Sequence, residues 1–479
     1  MLFNSLEFLL FFPAVTLVYY LIPARFRSLW LLGASYWFYM SWSPAYALLM
    51  LFSTAVTWWA GRAIGRTDSA RRRKAALAVS LAANLAVLGL FKYYGFFCEN
   101  LTRLAGVFGM ALRAPPLRLL LPVGISFYTF QALGYTIDVC RGDTEAEPDF
   151  LRYALFVSFF PQLVAGPIER SGSLLRQLRE ERRFDGVRAR AGLVRMAWGL
   201  FMKCVVADRL ALFVDTVFRQ PEDLPGSAAA LAVVLFTFQI YCDFGGYSNI
   251  AIGAAQVLGV TLMENFRQPF LAASVREFWQ RWHISLSSWF RDYVYIPLGG
   301  SRRGKWRAVR NNFLVFLASG LWHGAAWHYV AWGALHGLYT TAERLLPRRD
   351  RGGAARRAVG TAVTFALVSG AFLLFRADTL GGAWAMLRAI ACDFRPSALM
   401  GDGLYGFGLD RADFTVAWAA LAVLAGHDLL AERMDVLAAL ERQALPLRWA
   451  AYLLLLFAIL VFGVYGPEYD AAAFIYFEF

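Results

Sequence analysis

The sequence has few charged residues and few cysteines for its length. Of its 479 residues only 17% are charged, whereas 59% are hydrophobic, and the mean hydropathy is +0.47. A soluble fold of this composition would have too little polar surface to cover it. The five cysteines are scattered and form no CxxC pair, so neither a disulfide framework nor a thiolate zinc site is supported. The composition therefore excludes an ordinary soluble protein and predicts a membrane protein.

Common metal and phosphate motifs are also absent from the sequence. There is no HExxH motif, and no acidic residue lies between His323 and His336, so a zinc hydrolase is disfavoured. There is no GxxxxGK[ST] loop, and no GxGxxG motif follows a predicted strand. The second glycine of a G-x-S-x-G nucleophile elbow is missing after Ser126. We therefore expect no metal site and no bound cofactor.

Long apolar runs recur along the chain. A helix needs about 20 residues to cross about 30 Å of hydrocarbon, and apolar runs approaching this length return from the N-terminus to residue 465. They predict an all-α, polytopic membrane protein with roughly 11–13 transmembrane or re-entrant helices. Separate spans are predicted at Ala228–Cys242 and Tyr247–Leu262. The sequence contains no internal repeat, and residues 1–479 are predicted to form a single membrane domain.

The basic residues indicate membrane topology rather than nucleic-acid binding. The formal net charge is +13, but the basic residues lie in short loops between apolar runs. The positive-inside bias places three basic clusters in the cytoplasm and the N-terminus outside. These clusters occupy residues 62–74, 302–310 and 344–357. We expect membrane lipid, and no nucleic acid, as a partner.

Three of the five histidines lie in one apolar stretch between two of these clusters. An ionisable residue inside a membrane is a functional candidate by default. As one helix the stretch would be roughly 50 Å long, well over the thickness of the hydrocarbon core. A re-entrant hairpin of two shorter helices fits better, and a single tilted helix is the alternative. Non-helical backbone at that depth must be buried or line a water-filled cavity, so we expect His323 and His328 at a cavity. Glycines available as break or close-packing points are Gly320, Gly324, Gly333 and Gly337.

Two histidines are candidates for chemistry. His323 follows Trp322, and a neutral imidazole there can accept a proton from a hydroxyl near neutral pH. The alternative for His323 is a packing histidine bonded to a neighbouring helix. His283 lies in an amphipathic segment, where Ser287, one helical turn later, is expected to hold the tautomer of the imidazole. The alternative for His283 is a hydrated residue of an interfacial anchor helix.

Three charged residues are candidates for binding. Asp243 interrupts an apolar run and precedes a glycine pair, which predicts a helix break whose free N–H groups bind the carboxylate. A structural pair with Arg267 or Arg291 is the alternative. Arg291 and Asp292 are adjacent, so they are expected to point to different faces of a helix and to bind separate partners.

A series of motifs runs through the chain in a fixed order. Their residues are 1–5, 122–128, 160–168, 243–248, 278–293, 321–324, 375–377 and the terminal Phe474-Ile475-Tyr476-Phe477. In this order they resemble the membrane-bound O-acyltransferase family, and within it the bacterial branch that O-acetylates exopolysaccharides such as alginate. The resemblance covers essentially the full chain and is sparse between Asp378 and Asp470.

The resemblance implies a ring of helices around a central funnel. It identifies His323 as the active-site histidine and His283 as a second catalytic histidine on the extracytoplasmic side. Asn312, or backbone N–H groups, would stabilise an oxyanion. The candidate substrate-binding residues are Asp243, Trp282, Ser287, Arg291, Asp292, Asn312 and Trp322.

The same resemblance implies the reaction and its partners. An acetyl group from a cytoplasmic thioester, acetyl-CoA or a derivative of it, would cross the membrane for O-acetylation of a polysaccharide acceptor. A periplasmic acyltransferase with a serine nucleophile would complete the transfer, and the chain would be a multi-pass protein of the cell inner membrane. The alternatives are D-alanyl or peptidoglycan O-acyl transfer and, in another class, a transporter of polysaccharide or lipid-linked sugar.

Overall fold

A computed structural model describes residues 1–112, 121–164, 166–220, 224–346, 353–465 and 475. Within these ranges the regular structure is helical, and none of it is β-strand. Several helices begin where an acidic or hydroxyl side chain accepts a hydrogen bond from the first turn, as Asp149 does from Leu151 and Arg152. Asp185 and Ser274 cap later helices in the same way. The prediction of an all-α fold is confirmed.

Nine helices lie before residue 180 in the described part of the chain. They are α1 (Leu6–Leu21), α2 (Ala24–Met40), α3 (Pro44–Gly65), α4 (Ala70–Leu88), α5 (Tyr94–Val107), α6 (Ile125–Arg141), α7 (Phe150–Ser158), α8 (Phe160–Leu163) and α9 (Ser171–Arg179). A π-helical turn, Gly89–Tyr93, joins α4 to α5.

The remaining described helices surround and follow a 32-residue helix. They are α10 (Gly186–Leu200), α11 (Asp208–Phe218), α12 (Gly226–Val257), α13 (Val275–Arg281), α14 (Ile284–Phe290), α15 (Lys305–His323), α16 (Trp327–Leu345), α17 (Ala354–Arg376), α18 (Leu380–Cys392), α19 (Arg411–Ala431), α20 (Val436–Glu441) and α21 (Leu445–Phe462). Further π-helical turns are Phe201–Ala207 and Arg291–Tyr295. Short 3-10 turns are Pro269–Leu271, Pro396–Leu399 and Gly401–Phe407.

Among the described residues, six helical segments are long and apolar enough to cross a membrane, judged by length and composition. These segments are Pro44–Gly65, Ala70–Val107, Gly226–Val257, Ala354–Arg376, Arg411–Ala431 and Leu445–Phe462. The last is almost uncovered by the rest of the fold, whereas Gly226–Val257 is largely buried within it. Such an apolar surface on several long helices is expected of a multi-pass membrane protein, where lipid covers what the fold leaves exposed.

One prediction about the region of α12 is wrong. The runs Ala228–Cys242 and Tyr247–Leu262 were expected to be separate spans, with a break at the glycine pair between them. Instead one helix continues through Gly245 and Gly246. A side chain at Gly246 would place its Cβ 2.7 Å from the carbonyl oxygen of Gly199 on α10. The glycines therefore serve close packing of two helices rather than a break.

Two hydrophobic cores meet at α12. The first draws mainly on α1–α9, and the second on α11, α17 and α19. Phe244 and Tyr247 belong to the first core, whereas Phe236 and Tyr241 belong to the second. Because α12 contributes to both cores, it is the central helix of the fold.

Candidate active site

His323 is the last residue of α15, at the tip of a two-helix hairpin. The chain leaves the helix at Gly324, which is extended, and returns along α16. A Cβ on Gly324 would lie 2.1 Å from the ring of Tyr329, and one on Gly320 would lie 2.3 Å from its carbonyl oxygen. The glycines thus allow the two helices to touch at their tip. The hairpin and the role of these glycines are as predicted, and the single tilted helix is excluded.

Aromatic rings enclose the His323 side chain, which is 2% exposed. Its ring centroid lies 4.9 Å from that of Trp332 on α16 and 5.4 Å from that of Phe375 on α17. The imidazole of His283 lies 6.3 Å away, centroid to centroid. Trp322 belongs to the first hydrophobic core and Trp332 to the second. The two candidate histidines therefore come together where the two cores meet.

His283 is fully buried at the junction between α13 and α14. Its Nδ1 lies 3.2 Å from the amide oxygen Oδ1 of Asn265. That oxygen also accepts the backbone N–H of Ser285 at 3.3 Å and its hydroxyl at 2.9 Å. Because an amide oxygen only accepts, Nδ1 carries the proton and Nε2 carries the lone pair. The backbone of His283 has φ 43°, a left-handed conformation that non-glycine residues adopt rarely.

Two earlier expectations about His283 are corrected here. Ser287 does not hold the imidazole, because its hydroxyl donates to the carbonyl oxygen of Trp282 at 3.3 Å. A hydrated position on an anchor helix is excluded by the complete burial of the ring. The orienting residue is Asn265, which sequence reasoning missed. Its only sequence signal is a buried asparagine in a loop, and such a residue has no fixed spacing from its partner.

A small pocket lies directly beside His323. It has a volume of about 20 Å³, room for one water-sized group. Its lining is formed by residues 121–127, Lys92, Trp322 and His323. The prediction of a cavity at His323 is confirmed. His328 is outside this lining, with its Nδ1 3.1 Å from the carbonyl oxygen of Leu374.

Asn312 lies far from the candidate chemistry. Its Nδ2 donates to the hydroxyl of Thr340 at 2.8 Å, which joins α15 to α16 near the open end of the hairpin. Eleven residues separate it from His323 on one helix, which corresponds to about 16 Å. The expectation that Asn312 supplies an oxyanion donor is therefore wrong for this arrangement.

Asp243 belongs to a buried charge cluster on α12. Its Oδ1 lies 2.6 Å from Nζ of Lys203, and Nζ lies 2.7 Å from the carboxylate of Asp208. Its Oδ2 accepts the backbone N–H of Ile475 at 2.9 Å. The expected partners Arg267 and Arg291 are not those observed for Asp243. The carboxylate is held by a lysine from the π-helical turn before α11, and no helix break is needed.

Arg291 and Asp292 also differ from expectation. They pair with each other, with Nε of Arg291 2.7 Å from Oδ1 of Asp292. Asp292 additionally binds Arg170 at 2.9 Å. Arg291 begins a π-helical turn, and its long side chain bends so that the guanidinium donates to both carboxylate oxygens of Asp292. Since the side chain of Arg291 is 64% exposed, this pair contributes little stability.

The two candidate tryptophans have different surroundings. Trp322 lines the pocket, and its ring packs 5.4 Å from that of Phe127. Trp282 is instead packed among Phe266 and Phe372 at 5.0 and 5.2 Å, outside the pocket lining. Trp322 thus stays with the site, whereas Trp282 supports the core behind it.

Some sequence predictions lie outside the described residues. Phe474, Tyr476 and Phe477 of the terminal motif are among them, as are Arg348, Arg349 and Arg351 of the third basic cluster. Within the described chain, no group of three or more His, Cys, Asp or Glu side chains is placed to hold a metal ion. The site offers two buried imidazoles, a small pocket and an aromatic enclosure. Such a set can move a proton to and from a hydroxyl.

The chain is similar to known proteins over most of its length. Residues 119–373 match the model of the membrane-bound O-acyltransferase family, MBOAT. The probable alginate O-acetylase AlgI of Azotobacter vinelandii is 41% identical over 395 residues, 81% of this chain and 78% of that protein. The protein with the same description in Pseudomonas putida is 38% identical over an alignment of 499 positions, gaps included, that covers 100% of both chains. The peptidoglycan O-acetyltransferase of Helicobacter pylori is 33% identical over 426 residues, 81% of this chain and 80% of that protein.

Proposed function

This chain belongs to the membrane-bound O-acyltransferase family and is a multi-pass membrane O-acetyltransferase, and we propose that its acceptor is an exopolysaccharide of the alginate type. The observation that carries the proposal is the approach of the His283 and His323 rings to 6.3 Å, inside an aromatic enclosure and beside a pocket. Membership in an acyltransferase family weighs against the transporter alternative. The domain that carries this activity is residues 1–479.

The donor in this proposal is a cytoplasmic acetyl thioester such as acetyl-CoA. The acceptor hydroxyl attacks the acetyl carbon, and the imidazole of His323 accepts its proton. As the carbon–sulfur bond breaks, the thiolate leaves and takes that proton from the imidazolium. Atoms and charge therefore balance without a metal or a redox partner. His283 is the second catalytic histidine in this proposal. The hydrogen bond from its Nδ1 to Asn265 keeps the lone pair of the imidazole on Nε2.

The polymer lies on the other side of the membrane from the donor. We therefore assign the chain to the cell inner membrane and expect a periplasmic acyltransferase as its partner, whose serine hydroxyl is the immediate acceptor at His323 and which then passes the acetyl group to the polymer. Trp322, which lines the pocket, is retained as a substrate-binding residue. Asp243, Trp282, Ser287, Arg291, Asp292 and Asn312 are assigned structural roles instead, because they are outside the lining of this pocket and bond or pack against other parts of the fold.

The test is the acetate content of secreted polymer in cells that lack their own copy of the gene and carry His323→Ala. The matched control is His336→Gln, since His336 is buried in the same hairpin outside the pocket and accepts from the indole of Trp279 at 3.3 Å. We expect acetate to be lost with His323→Ala and kept with the control, at equal membrane abundance. Normal acetylation by His323→Ala would refute the assignment.

A second acceptor follows from one comparison. The similarity to a peptidoglycan O-acetyltransferase favours cell-wall glycan as the alternative acceptor. Mass spectrometry of the purified polymer and of digested peptidoglycan from the same cells separates the two. Acetate missing only from the peptidoglycan of the His323→Ala strain would move the assignment to that acceptor, and missing D-alanine would move it to D-alanyl transfer.

A further inference from the structure

Lys92 lies within an apolar segment long enough to span a membrane. It belongs to the π-helical turn Gly89–Tyr93, inside the continuous helical segment Ala70–Val107. A lysine in such a segment is costly unless it has partners or a function. A π-helical turn is itself uncommon and is frequently found at functional sites. Neither feature is explained by the roles assigned to the two histidines.

The contacts of Lys92 reach the residue next to His323. Its Nζ donates to the carbonyl oxygen of Trp322 at 2.5 Å and to the hydroxyl of Ser126 at 3.2 Å. The adjacent Tyr93 donates its hydroxyl to the carbonyl oxygen of Leu321 at 2.9 Å. Carbonyls in the last turn of a helix have no partner within it, so both side chains cap the end of α15. Lys92 differs from Tyr93 in one respect, because Lys92 also lines the pocket beside His323.

The amine of Lys92 has donor capacity left over. A lysine ammonium has three N–H donors, and the contacts with Trp322 and Ser126 use two of them. The pocket that it lines holds about one water-sized group, at 20 Å³. That volume can hold the carbonyl oxygen of an acyl group, but it is too small for a whole acyl donor. The remaining N–H of Lys92 is therefore suited to donate a hydrogen bond to one oxygen atom of the substrate in this pocket.

The pocket wall next to Lys92 favours negative charge as well. It is the turn that begins α6, where Gly124 has φ +73°. A Cβ on Gly124 would lie 2.7 Å from the carbonyl oxygen of Leu163, so the turn depends on glycine for both its conformation and its packing. The first turn of the 17-residue α6, which includes Ser126, directs the positive end of its helix dipole to this wall. An anionic oxygen in this pocket would therefore meet both Lys92 and the N-terminus of α6.

We infer that Lys92 is a further catalytic residue, whose Nζ donates to the acetyl carbonyl oxygen as that oxygen becomes an oxyanion. The inference rests on the proposed acetyl transfer. When the acceptor oxygen bonds to the acetyl carbon, the carbonyl π electrons move to the oxygen in the pocket, while the acceptor proton moves to His323. When the carbon–sulfur bond breaks, the carbonyl re-forms and the thiolate takes the proton from His323. Lys92 binds the oxygen throughout and neither gains nor loses a proton.

The test compares Lys92→Met with Tyr93→Phe, which also removes one cap of α15 but leaves the pocket lining unchanged. The measurement is the initial rate at which acetate ester appears on secreted polymer, divided by the amount of the protein in the membrane. Loss of one oxyanion donor lowers turnover by about 10²–10³-fold, so we expect that loss for Lys92→Met and a rate close to wild type for Tyr93→Phe. His323→Ala is measured beside them.

The outcomes distinguish a catalytic role for Lys92 from a helix-capping role, and both from a failure of the proposed function. Equal losses in Lys92→Met and Tyr93→Phe would reduce Lys92 to a helix cap and overturn the inference. A full rate for Lys92→Met beside an inactive His323→Ala would overturn the inference alone, whereas a full rate for His323→Ala would overturn the proposed function. If Lys92→Met does not accumulate, Lys92→Gln takes its place, because its neutral amide can still cap α15 but carries no positive charge for the oxyanion. We expect a lower rate for Lys92→Gln, and a wild-type rate would refute the role of the ammonium group.

Discussion

The orientation of His283 depends on one amide, that of Asn265, which makes Asn265→Ala the most informative single substitution. The change removes the acceptor for three donors, which are Nδ1 of His283 and the backbone N–H and hydroxyl of Ser285. The hydroxyl can rotate to another acceptor, whereas the backbone N–H and the imidazole N–H are buried and lose their acceptor. At about 1–3 kcal/mol for each buried donor without an acceptor, we expect a loss of about 2–6 kcal/mol in the free energy of unfolding.

The same substitution should lower catalysis beyond its effect on folding. Without Asn265 the imidazole of His283 can rotate or change tautomer, and a base that has lost its orienting partner typically slows by about 10²-fold or more. The assay is the initial rate of polymer acetylation per folded molecule, together with thermal unfolding of the purified protein in detergent. Asn265→Asp keeps the acceptor oxygen and should retain more of both properties.

The matched control is Asn84→Ala, which also removes a buried amide. Asn84 donates to the carbonyl oxygen of Ser80 at 2.9 Å and is bonded to Ser53, between α4 and α3. It should destabilise the protein without lowering the rate per folded molecule. A wild-type rate and wild-type stability for Asn265→Ala would refute the orientation argument. Equal rate losses for the two alanine variants would show that the effect comes from folding alone.

Two further predictions concern buried charge. Lys203→Met should destabilise the fold by about 3–5 kcal/mol, because it leaves the buried carboxylates of Asp208 and Asp243 without their ammonium group. The recovery of monodisperse protein in size-exclusion chromatography in detergent should be lower for Lys203→Met than for Arg103→Met, which breaks an exposed pair. Equal recovery of the two variants would contradict the prediction. Burial raises the pKa of Glu169 from 4.5 to about 7, so the folded state binds a proton that the unfolded state has lost. Stability should therefore fall by up to about 3 kcal/mol as the pH rises from 4.5 to 7. Thermal unfolding at several pH values should show this fall, and its persistence in Glu169→Gln would contradict the argument.

The hairpin could be predicted from the sequence because lengths and charges constrain it. An apolar stretch too long for one span, with basic clusters at both ends, leaves few arrangements. The glycines at positions 320 and 324 then fall where the helices meet. The same argument placed both His323 and His328 at a cavity, but His323 lines the pocket and His328 does not. The family resemblance, rather than length or charge, identified His323 as the candidate active-site residue.

The partners of the site could not be predicted in this way, because they come from distant parts of the chain. Asn265 and His283 are 18 residues apart, and Lys92 and Trp322 are 230 apart. No helical periodicity relates such pairs. Ser287 was the expected partner of His283 because it lies one turn along a continuous helix. The helix instead ends at Arg281, and His283 adopts a left-handed backbone conformation before the next one begins.

The helix α12 connects the charge cluster to His283. Asp243 fixes one of its faces to Lys203, and Gly246, three residues later, brings its backbone against Gly199 of α10. Ser248 then accepts a hydrogen bond from Nδ2 of Asn265 at 3.1 Å.

These three contacts occupy less than two turns of one helix. A shift or rotation of α12 would therefore disturb the buried ion pair, the helix contact and the amide that orients His283 together. This coupling explains why an aspartate, a glycine pair and a serine occur so close in the sequence. Their shared role is to fix the register of α12, and through Asn265 that register sets the direction of the imidazole.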